Sequence, residues 1–428
     1  VATDRQPRPQ LQRPQTIFYV ALAVRLAYMV LAHTWRIRPG DDHAYFGWEM
    51  GRVARALATG SGYADPFNGQ TGPTAWVSPL YPLLLAAIFK VFGVYSAVSA
   101  AVTVSLNCLF SALTTVTTFA IGRRSFGLRV AVWAAWIWAL YPPSMQFATR
   151  SIWETSLSTL LVSCAILLAL QLRGIGGGPP SPALRMWFLL GLLSGLLALC
   201  NPSTLLFLTA AGIWIVWSPP SRNWLGAAVA VAVCVLMVAP WIARNQRVFH
   251  QWIPMRSNAG AEFYLGNGPG ATGLVMEYDH PFFDAQALAA YRRMGELAYA
   301  RQQGSAAWAA VQADPARFAG LVLRRVYYFW FGVPHEAERR WDRALGDWLR
   351  VALFSFTSVA GLLGLALAVR QRSAAAPLFV SAFALLPGVY YFVFVHARFR
   401  HPLEPLLAVL GVWLFQNAMS AKMDRVGA

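Results

Sequence analysis

The chain has 428 residues, 57% of them hydrophobic and 12% charged, with a mean hydropathy of +0.46. Soluble domains carry roughly 25% charged residues, so this composition excludes an ordinary soluble domain and reads as an all-α, polytopic membrane protein. The net charge of +17 would suggest nucleic acid in a soluble chain, but no zinc-finger spacing or RNA-binding motif accompanies it, so no nucleic-acid partner is expected.

Residues 1–15 form a basic tail with Arg5, Arg8 and Arg13. They lead into an apolar run too long for a signal-peptide core, so the segment reads as a retained anchor. The first span covers about 16–34 and is interrupted by Arg25. A guanidinium held at mid-membrane costs about 2.5–3.5 kcal/mol, so Arg25 must snorkel or face another helix. Residues 35–96 follow as a polar, aromatic outer loop that opens on Asp41-Asp42-His43-Ala44-Tyr45. Within it Phe46, Met50, Val53, Ala54 and Leu57 share one helical face, and Glu49, Arg52 and Arg55 the other. That pattern predicts a helix lying along the membrane surface. Gly60, Gly62, Pro66, Gly69, Gly72 and Pro73 mark loop. The apolar run 79–92, which contains Lys90, is too short to span and reads as a second interfacial helix.

Further hydrophobic stretches lie at 97–122, 128–147, 152–172, 186–199, 202–217, 224–242, 348–369, 377–395 and 402–417. With the first they predict a bundle of about ten spans. The stretches ending at Leu199 and starting at Pro202 predict a helical hairpin with almost no loop. Gly176-Gly177-Gly178-Pro179-Pro180 reads as a linker, lacking the strand, Lys and Ser/Thr of a phosphate loop. The parts are therefore a transmembrane core at 16–243, a long hydrophilic segment at 244–347, C-terminal spans at 348–420 and a tail at 421–428. In the hydrophilic segment Asp314-Pro315 is an N-cap with proline at the first helical position. The helix it starts, 316–331, carries Arg324 and Arg325 and reads as interfacial.

Short-loop charges set the orientation. With both termini cytoplasmic, Arg123, Arg124, Arg129, Arg173, Arg185, Arg222, Arg370, Arg372, Lys422 and Arg425 all fall inside. Apart from Asp4 and Asp424 in the tails, every Asp and Glu falls outside. So does every histidine: His33, His43, His250, His280, His335, His396 and His401. The expected site is thus extracytoplasmic, in a plasma (inner) membrane. The near-exclusive use of Arg, with only Lys90 and Lys422 as lysines, points to a GC-rich bacterial source. Cys108, Cys164, Cys200 and Cys234 lie in apolar runs without metal-ligand spacing and read as inert thiols.

Five groups converge on the outer face: Asp41-Asp42, Glu154, Asn201-Pro202, the run from Pro240 to Asn245 that ends in Arg244-Asn245, and the run His396 to Pro405 that carries Arg398, Arg400 and His401. Carboxylates facing a basic, aromatic, membrane-level site suit one reaction. A carboxylate takes a proton from an acceptor hydroxyl, the hydroxyl attacks a sugar carbon, and arginines stabilise the departing phosphate. Neighbouring side chains on an extended segment point opposite ways, so one of Asp41 and Asp42 can face a given substrate. Plainer readings stand beside each. The aspartates fit the N-cap of the surface helix, Glu154 fits a bridge to Arg150, and Arg398 and Arg400 fit lipid-headgroup anchors.

The ordered set of these segments resembles the GT-C membrane glycosyltransferases. It is similar in particular to the bacterial branch of glycosyltransferase family 39, the protein O-mannosyltransferase family with relatives of the lipid A aminoarabinose transferase. The matching pieces are Asp41 to Tyr45, Pro79 to Ala86, Glu154, Gly191 to Pro202, Pro240 to Asn245, Gly266-Asn267 and Arg398 to Pro405. Asp42 stands where Glu is usual, and Asn201 where Arg often precedes the proline. The resemblance implies inverting transfer from a polyprenyl-phosphate sugar to a glycan, lipid or protein acceptor. It also implies Asp41 as base, with Asp42 catalytic beside it and Tyr45, Glu154, Arg244, Asn245, Arg398, Arg400 and His401 around the substrate. No cofactor is certain; some GT-C enzymes use a divalent metal. A transporter or lipid flippase is the alternative from another class, and a glycan polymerase or ligase using diphosphate-linked oligosaccharide is the near neighbour. Transporters place polar groups near the bilayer midplane and often show inverted repeats; here polar residues cluster at one face and no repeat is visible.

Overall fold

The computed structural model describes residues 10–37, 46–177, 183–217, 223–274, 279–332 and 341–426, with side chains of the last stretch described for 348–419. Among the described residues there is no strand, only one isolated antiparallel bridge between Ala64 and Pro73. In chain order the helices are α1 (Pro14–Leu31), α2 (Trp48–Ala58), α3 (Leu80–Phe92), α4 (Ala97–Phe126), α5 (Leu128–Leu140), α6 (Pro142–Thr149) and α7 (Thr155–Leu172). Then come α8 (Leu184–Cys200), α9 (Leu205–Trp217), α10 (Trp224–Phe249), α11 (Ala259–Asn267), α12 (Ala285–Met294), α13 (Glu296–Ala313) and α14 (Pro315–Phe331). The chain closes with α15 (Trp341–Arg370), α16 (Ala376–Leu385), α17 (Gly388–Phe392), α18 (Ala397–Arg400) and α19 (Glu404–Val426).

Five described helices are long and apolar enough to cross a membrane: α1, α4, α7, α10 and the Trp348–Arg370 part of α15. Shorter apolar helices accompany them at Leu80–Phe92, Leu128–Leu140, Leu184–Cys200, Pro202–Trp217 and Ala376–Phe392. The chain is an all-α, multi-pass membrane protein.

Two expected spans are broken, and prolines explain both. The stretch 128–147 divides into α5 and α6 at Tyr141-Pro142, because Pro142 and Pro143 have no N–H to continue the helix. The break leaves carbonyls near the end of α5 without helical partners. Arg25 supplies one: fully buried on α1, it donates to Ala139 O at 2.9 Å and Trp138 O at 3.2 Å. It also donates to Ser144 Oγ at 2.8 Å and Ser111 Oγ at 3.0 Å, so it faces neighbouring helices and does not snorkel. The stretch 377–395 divides likewise at Pro387 into α16 and α17.

The expected hairpin between 186–199 and 202–217 is a sharp turn through a short 3-10 segment, Pro202–Thr204, but α8 also packs closely along α10. A Cβ on Gly191 would lie 2.4 Å from Ala230 O, so only a small residue lets these two helices approach this closely.

The hydrophilic segment folds into α11–α14 and closes over the loop before α3. Glu296 is the fastener. Its carboxylate accepts from Ala75 N at 2.7 Å, Thr74 Oγ1 at 2.5 Å, Ser257 Oγ at 2.5 Å and Tyr291 OH at 2.8 Å. On α14, capped by Asp314 accepting from Arg317 N at 2.8 Å, fully buried Arg325 donates to Gly266 O, Asn267 Oδ1, Gly273 O and Tyr391 O. The opposite face exposes Leu323 and Tyr327. The segment also changes α2. Glu49 and Arg52, placed by periodicity on the polar face of a surface helix, are buried, because Phe282 packs on Trp48 and under Arg52 while His280 meets Glu49.

Candidate active site

Where α2, the start of α7, the turn after α8, the segment before α11 and the segment from α17 to α18 meet, they enclose a cavity of about 480 Å³. Its walls are aromatic, from Trp48, Trp76, Trp153, Phe283, Tyr390 and Phe399. Its charges come from Glu49, Glu154 and Glu262 on one hand and Arg256 and Arg398 on the other. An apolar pocket with a few convergent polar groups is the usual form of a small-molecule site.

Glu154 is the N-cap residue of α7, and its backbone oxygen accepts from Ser158 N at 2.7 Å. Its side chain turns into the cavity, where Oε2 is buried with no hydrogen-bond partner. Burial pushes its pKa up to about 7; Arg398 and Arg256 pull it back, and Glu49 adds to the rise. Arg398 opens α18, its backbone N–H donating to His396 Nδ1 at 3.2 Å. Its guanidinium lies over Trp153 at 4.1 Å and Phe399 at 5.2 Å, with Nε buried and unpartnered. Burial lowers its pKa, and Glu154, Glu49 and Glu262 hold it up. Behind it, Phe399 stacks on Tyr390 at 4.0 Å, and the Tyr390 hydroxyl lies 2.8 Å from Ser203 Oγ. Asn201 Nδ2 donates to that hydroxyl at 3.3 Å.

The other wall carries residues that sequence reading did not single out. Glu49 lies 3.4 Å from His280 Nε2. His280 Nδ1 accepts from Phe282 N at 3.1 Å, which leaves the ring proton on Nε2, facing the carboxylate. Burial drives the His280 pKa down to about 4 and raises that of Glu49. Arg256 donates to Trp76 O at 2.9 Å and pairs with Glu262 at 3.3 Å, while Asn258 Nδ2 donates to the same glutamate at 2.5 Å. Asn258 and Glu262 are spaced i, i+4 at the start of α11, a weak signal in sequence. Glu49 and His280 are joined only by tertiary packing and leave none.

Of the predicted site residues, Glu154 and Arg398 share this cavity. Four others do not line it. Arg244 donates to Thr74 O at 2.6 Å and Tyr63 O at 2.7 Å, and fully buried Asn245 donates to Ile253 O at 3.0 Å. These two fasten loops to the end of α10. Arg400 is fully buried and donates to Trp330 O at 3.2 Å, Phe354 O at 3.1 Å and Thr357 Oγ1, tying α18 to α14 and α15. Its guanidinium is thus taken up in a helix-helix lock. His401 is enclosed with Glu404, Nδ1 to Oε2 at 2.5 Å, between Trp138 and Phe147. Asp41, Asp42 and Tyr45 lie outside the described residues; the described chain resumes at Phe46, and Trp48 and Glu49 line the cavity. Among the described residues no three His, Cys, Asp or Glu side chains form a group able to hold a metal ion.

No protein-family model and no curated protein sequence matches the chain. Solved structures do. Archaeal oligosaccharyltransferase AglB from Archaeoglobus fulgidus, in complex with an inhibitory peptide and a dolichol-phosphate, aligns over 96% of this chain and 52% of its own at TM-score 0.53 and 16% identity. The apo form of the Archaeoglobus fulgidus enzyme aligns over 95% and 51% at TM-score 0.56 and 14% identity. This chain shares the fold of those oligosaccharyltransferase structures. It spans about half the length of those oligosaccharyltransferase chains. ArnT from Cupriavidus metallidurans bound to undecaprenyl phosphate also aligns, over 94% of this chain and 78% of its own, at TM-score 0.42 and 13% identity.

Proposed function

We propose that the chain is an inverting glycosyltransferase that moves a sugar from a polyprenyl-phosphate-linked donor to an acceptor hydroxyl on the extracytoplasmic face of the membrane. The observation that carries this reading is Arg398. A guanidinium set over an indole, with a buried N–H left unmet, lines an aromatic cavity in a GT-C fold. Such a group suits a lipid-linked phosphodiester, whose oxygens accept charge-assisted hydrogen bonds. A dolichol-phosphate is present in the AglB complex that shares the fold.

In this reading Asp41 takes the acceptor proton, with Asp42 and Tyr45 beside it. The acceptor oxygen bonds to the anomeric carbon as the bond from that carbon to the phosphate oxygen breaks, and polyprenyl phosphate leaves with the electron pair. Arg398 stabilises the negative charge that grows on the leaving oxygen. Glu154, about half ionised near pH 7, tempers the arginine through its charged form. The test uses purified protein in detergent with radiolabelled polyprenyl-phosphate sugars, in the absence of any membrane gradient. The wild type should consume donor and label acceptor. Asp41→Asn should lower transfer by about 10²–10⁴-fold at unchanged protein level, the range general-base catalysis supplies. Normal transfer by that variant would remove Asp41 as base, and a wild type that leaves the donor intact in detergent but moves it across the bilayer of proteoliposomes would favour a flippase.

A further inference from the structure

A second concavity of about 640 Å³ lies in the folded hydrophilic segment between α13 and the chain that leads into α11. The stretch 253–260 is its party wall. Ile253, Pro254, Ser257 and Gly260 face this outer groove, while Met255, Asn258 and Ala259 face the cavity. Arg256 belongs to both linings, so the two spaces adjoin at this residue. The groove floor is backbone. A Cβ on Gly260 would lie 2.2 Å from Ala300 O, and one on Gly304 would lie 3.0 Å from Gly260 Cα, so two glycines bring α11 and α13 into contact and leave space above them.

The lining has a distinctive chemistry. Trp252 and Trp308 border the groove at 72% and 56% exposure, far more than their packing in the fold requires. The polar groups along it are amides, hydroxyls and guanidiniums, including Gln251, Ser305 and Gln312, with no carboxylate among the described lining residues. Arg301 donates to Gln251 across the rim. Indole faces beside fixed donors fit sugar rings, which offer an apolar C–H face and a polar edge. One wall here is helix α13 and the other the non-helical chain 251–257, so among the described residues neither offers the sheet edge that a strand-adding peptide uses. A tryptophan belt at the membrane interface needs neither a concave wall nor polar groups between its indoles.

We propose that this outer groove binds a saccharide, neutral or anionic, and leads it as acceptor past Arg256 into the transfer cavity. The groove's role as an acceptor path rests on the glycosyltransferase reading above; its affinity for saccharide does not. The test is binding of the purified full chain, in lipid nanodiscs, to an array of immobilised neutral and anionic oligosaccharides. The wild type should retain a subset of glycans. Trp308→Ala and Trp252→Ala should weaken that binding at least tenfold, Trp308→Phe should restore most of it, and Tyr327→Ala on the exposed face of α14 should leave it unchanged. Monodisperse elution and retained helicity of each variant separate loss of binding from loss of fold. A wild type that binds no glycan, or alanine variants that bind as well as wild type, would overturn the proposal. So would strong quenching of a fluorophore on Trp308→Cys by spin-labelled phospholipid headgroups, which would make the site a membrane belt. Should the array behave as expected while Asp41→Asn transfers sugar normally, the groove stands and the base assignment falls.

Discussion

Arg398 and Arg400 are two residues apart and look alike in sequence, yet their surroundings give them different tasks. Arg400 meets carbonyls and a threonine hydroxyl inside a helix junction, whereas among the described residues Arg398 is surrounded by aromatic faces and longer-range carboxylates. Removing a charged hydrogen-bond donor from a ligand typically costs about 2 kcal/mol, roughly thirtyfold in affinity. Arg398→Ala should therefore raise the donor KM by about that factor with little change in thermal stability, measured by initial rates over a donor series. Arg400→Ala should do the reverse, lowering the Tm while the surviving protein keeps its donor KM. Glu154 adds a pH dependence of definite sign. Its pKa of about 7 means that it is neutral below that value and charged above it. When charged it competes with phosphate for Arg398. His280, held near 4, stays neutral through that range and does not titrate with it. Donor affinity should fall as pH rises from 6 to 8, and Glu154→Gln should flatten that part of the profile. A wild-type KM for donor that is level across the same interval would rule out this coupling.

Helices are legible in this sequence to the extent that they follow from apolar length and local punctuation. Apolar runs mark the spans and Asp314-Pro315 marks the start of α14, but apolar length alone reads straight through Pro142 and Pro387, where the helices break. What local pattern cannot carry is the partner. Glu49 and Arg52 look solvent-facing because their helix is amphipathic; it takes a segment more than two hundred residues away to cover them. The same holds for Arg25, an expensive residue in a span until the break between α5 and α6 supplies its acceptors. That pairing predicts a coupled loss. Arg25→Met leaves buried carbonyls and hydroxyls unmet at about 1–3 kcal/mol for each group without an alternative partner. The variant should show reduced Tm in detergent, and Arg25→Lys, which keeps the charge but not the fork, should recover only part of it. An unchanged Tm for Arg25→Met would mean that water or Ser144, which already donates to Trp138 O, satisfies the break without the guanidinium.

Across the whole molecule the candidate site was partly legible, through chemistry more than contact. Glu154 and Arg398 are found by asking which charged residues fall at one end of the spans, and they do share a cavity. Arg244, Asn245, Arg400 and His401 pass the same filter and serve packing, because a filter on sidedness cannot tell which way a side chain turns. Sidedness itself has a structural counterpart. At about 1.5 Å per residue a helix of α7's length runs roughly 27 Å, with Glu154 at one end and Arg173 at the other. At the Arg173 end the chain doubles against α4, where Arg124 donates to Ile175 O at 2.9 Å. The cavity and the arginine-rich loops therefore lie at opposite ends of that helix. Basic loops are held at the cytoplasmic leaflet by roughly 1 kcal/mol per residue near anionic lipid, which would turn the cavity outward. This can be read by labelling single cysteines in a background where Cys108, Cys164, Cys200 and Cys234 are replaced. Ser61→Cys and Arg301→Cys, both exposed near the cavity end, should react with a membrane-impermeant maleimide in intact cells. Arg185→Cys and Arg372→Cys, equally exposed, should react only after the membrane is permeabilised. The reverse pattern would put the cavity on the cytoplasmic side, where the transfer proposed here has no route to an extracytoplasmic acceptor.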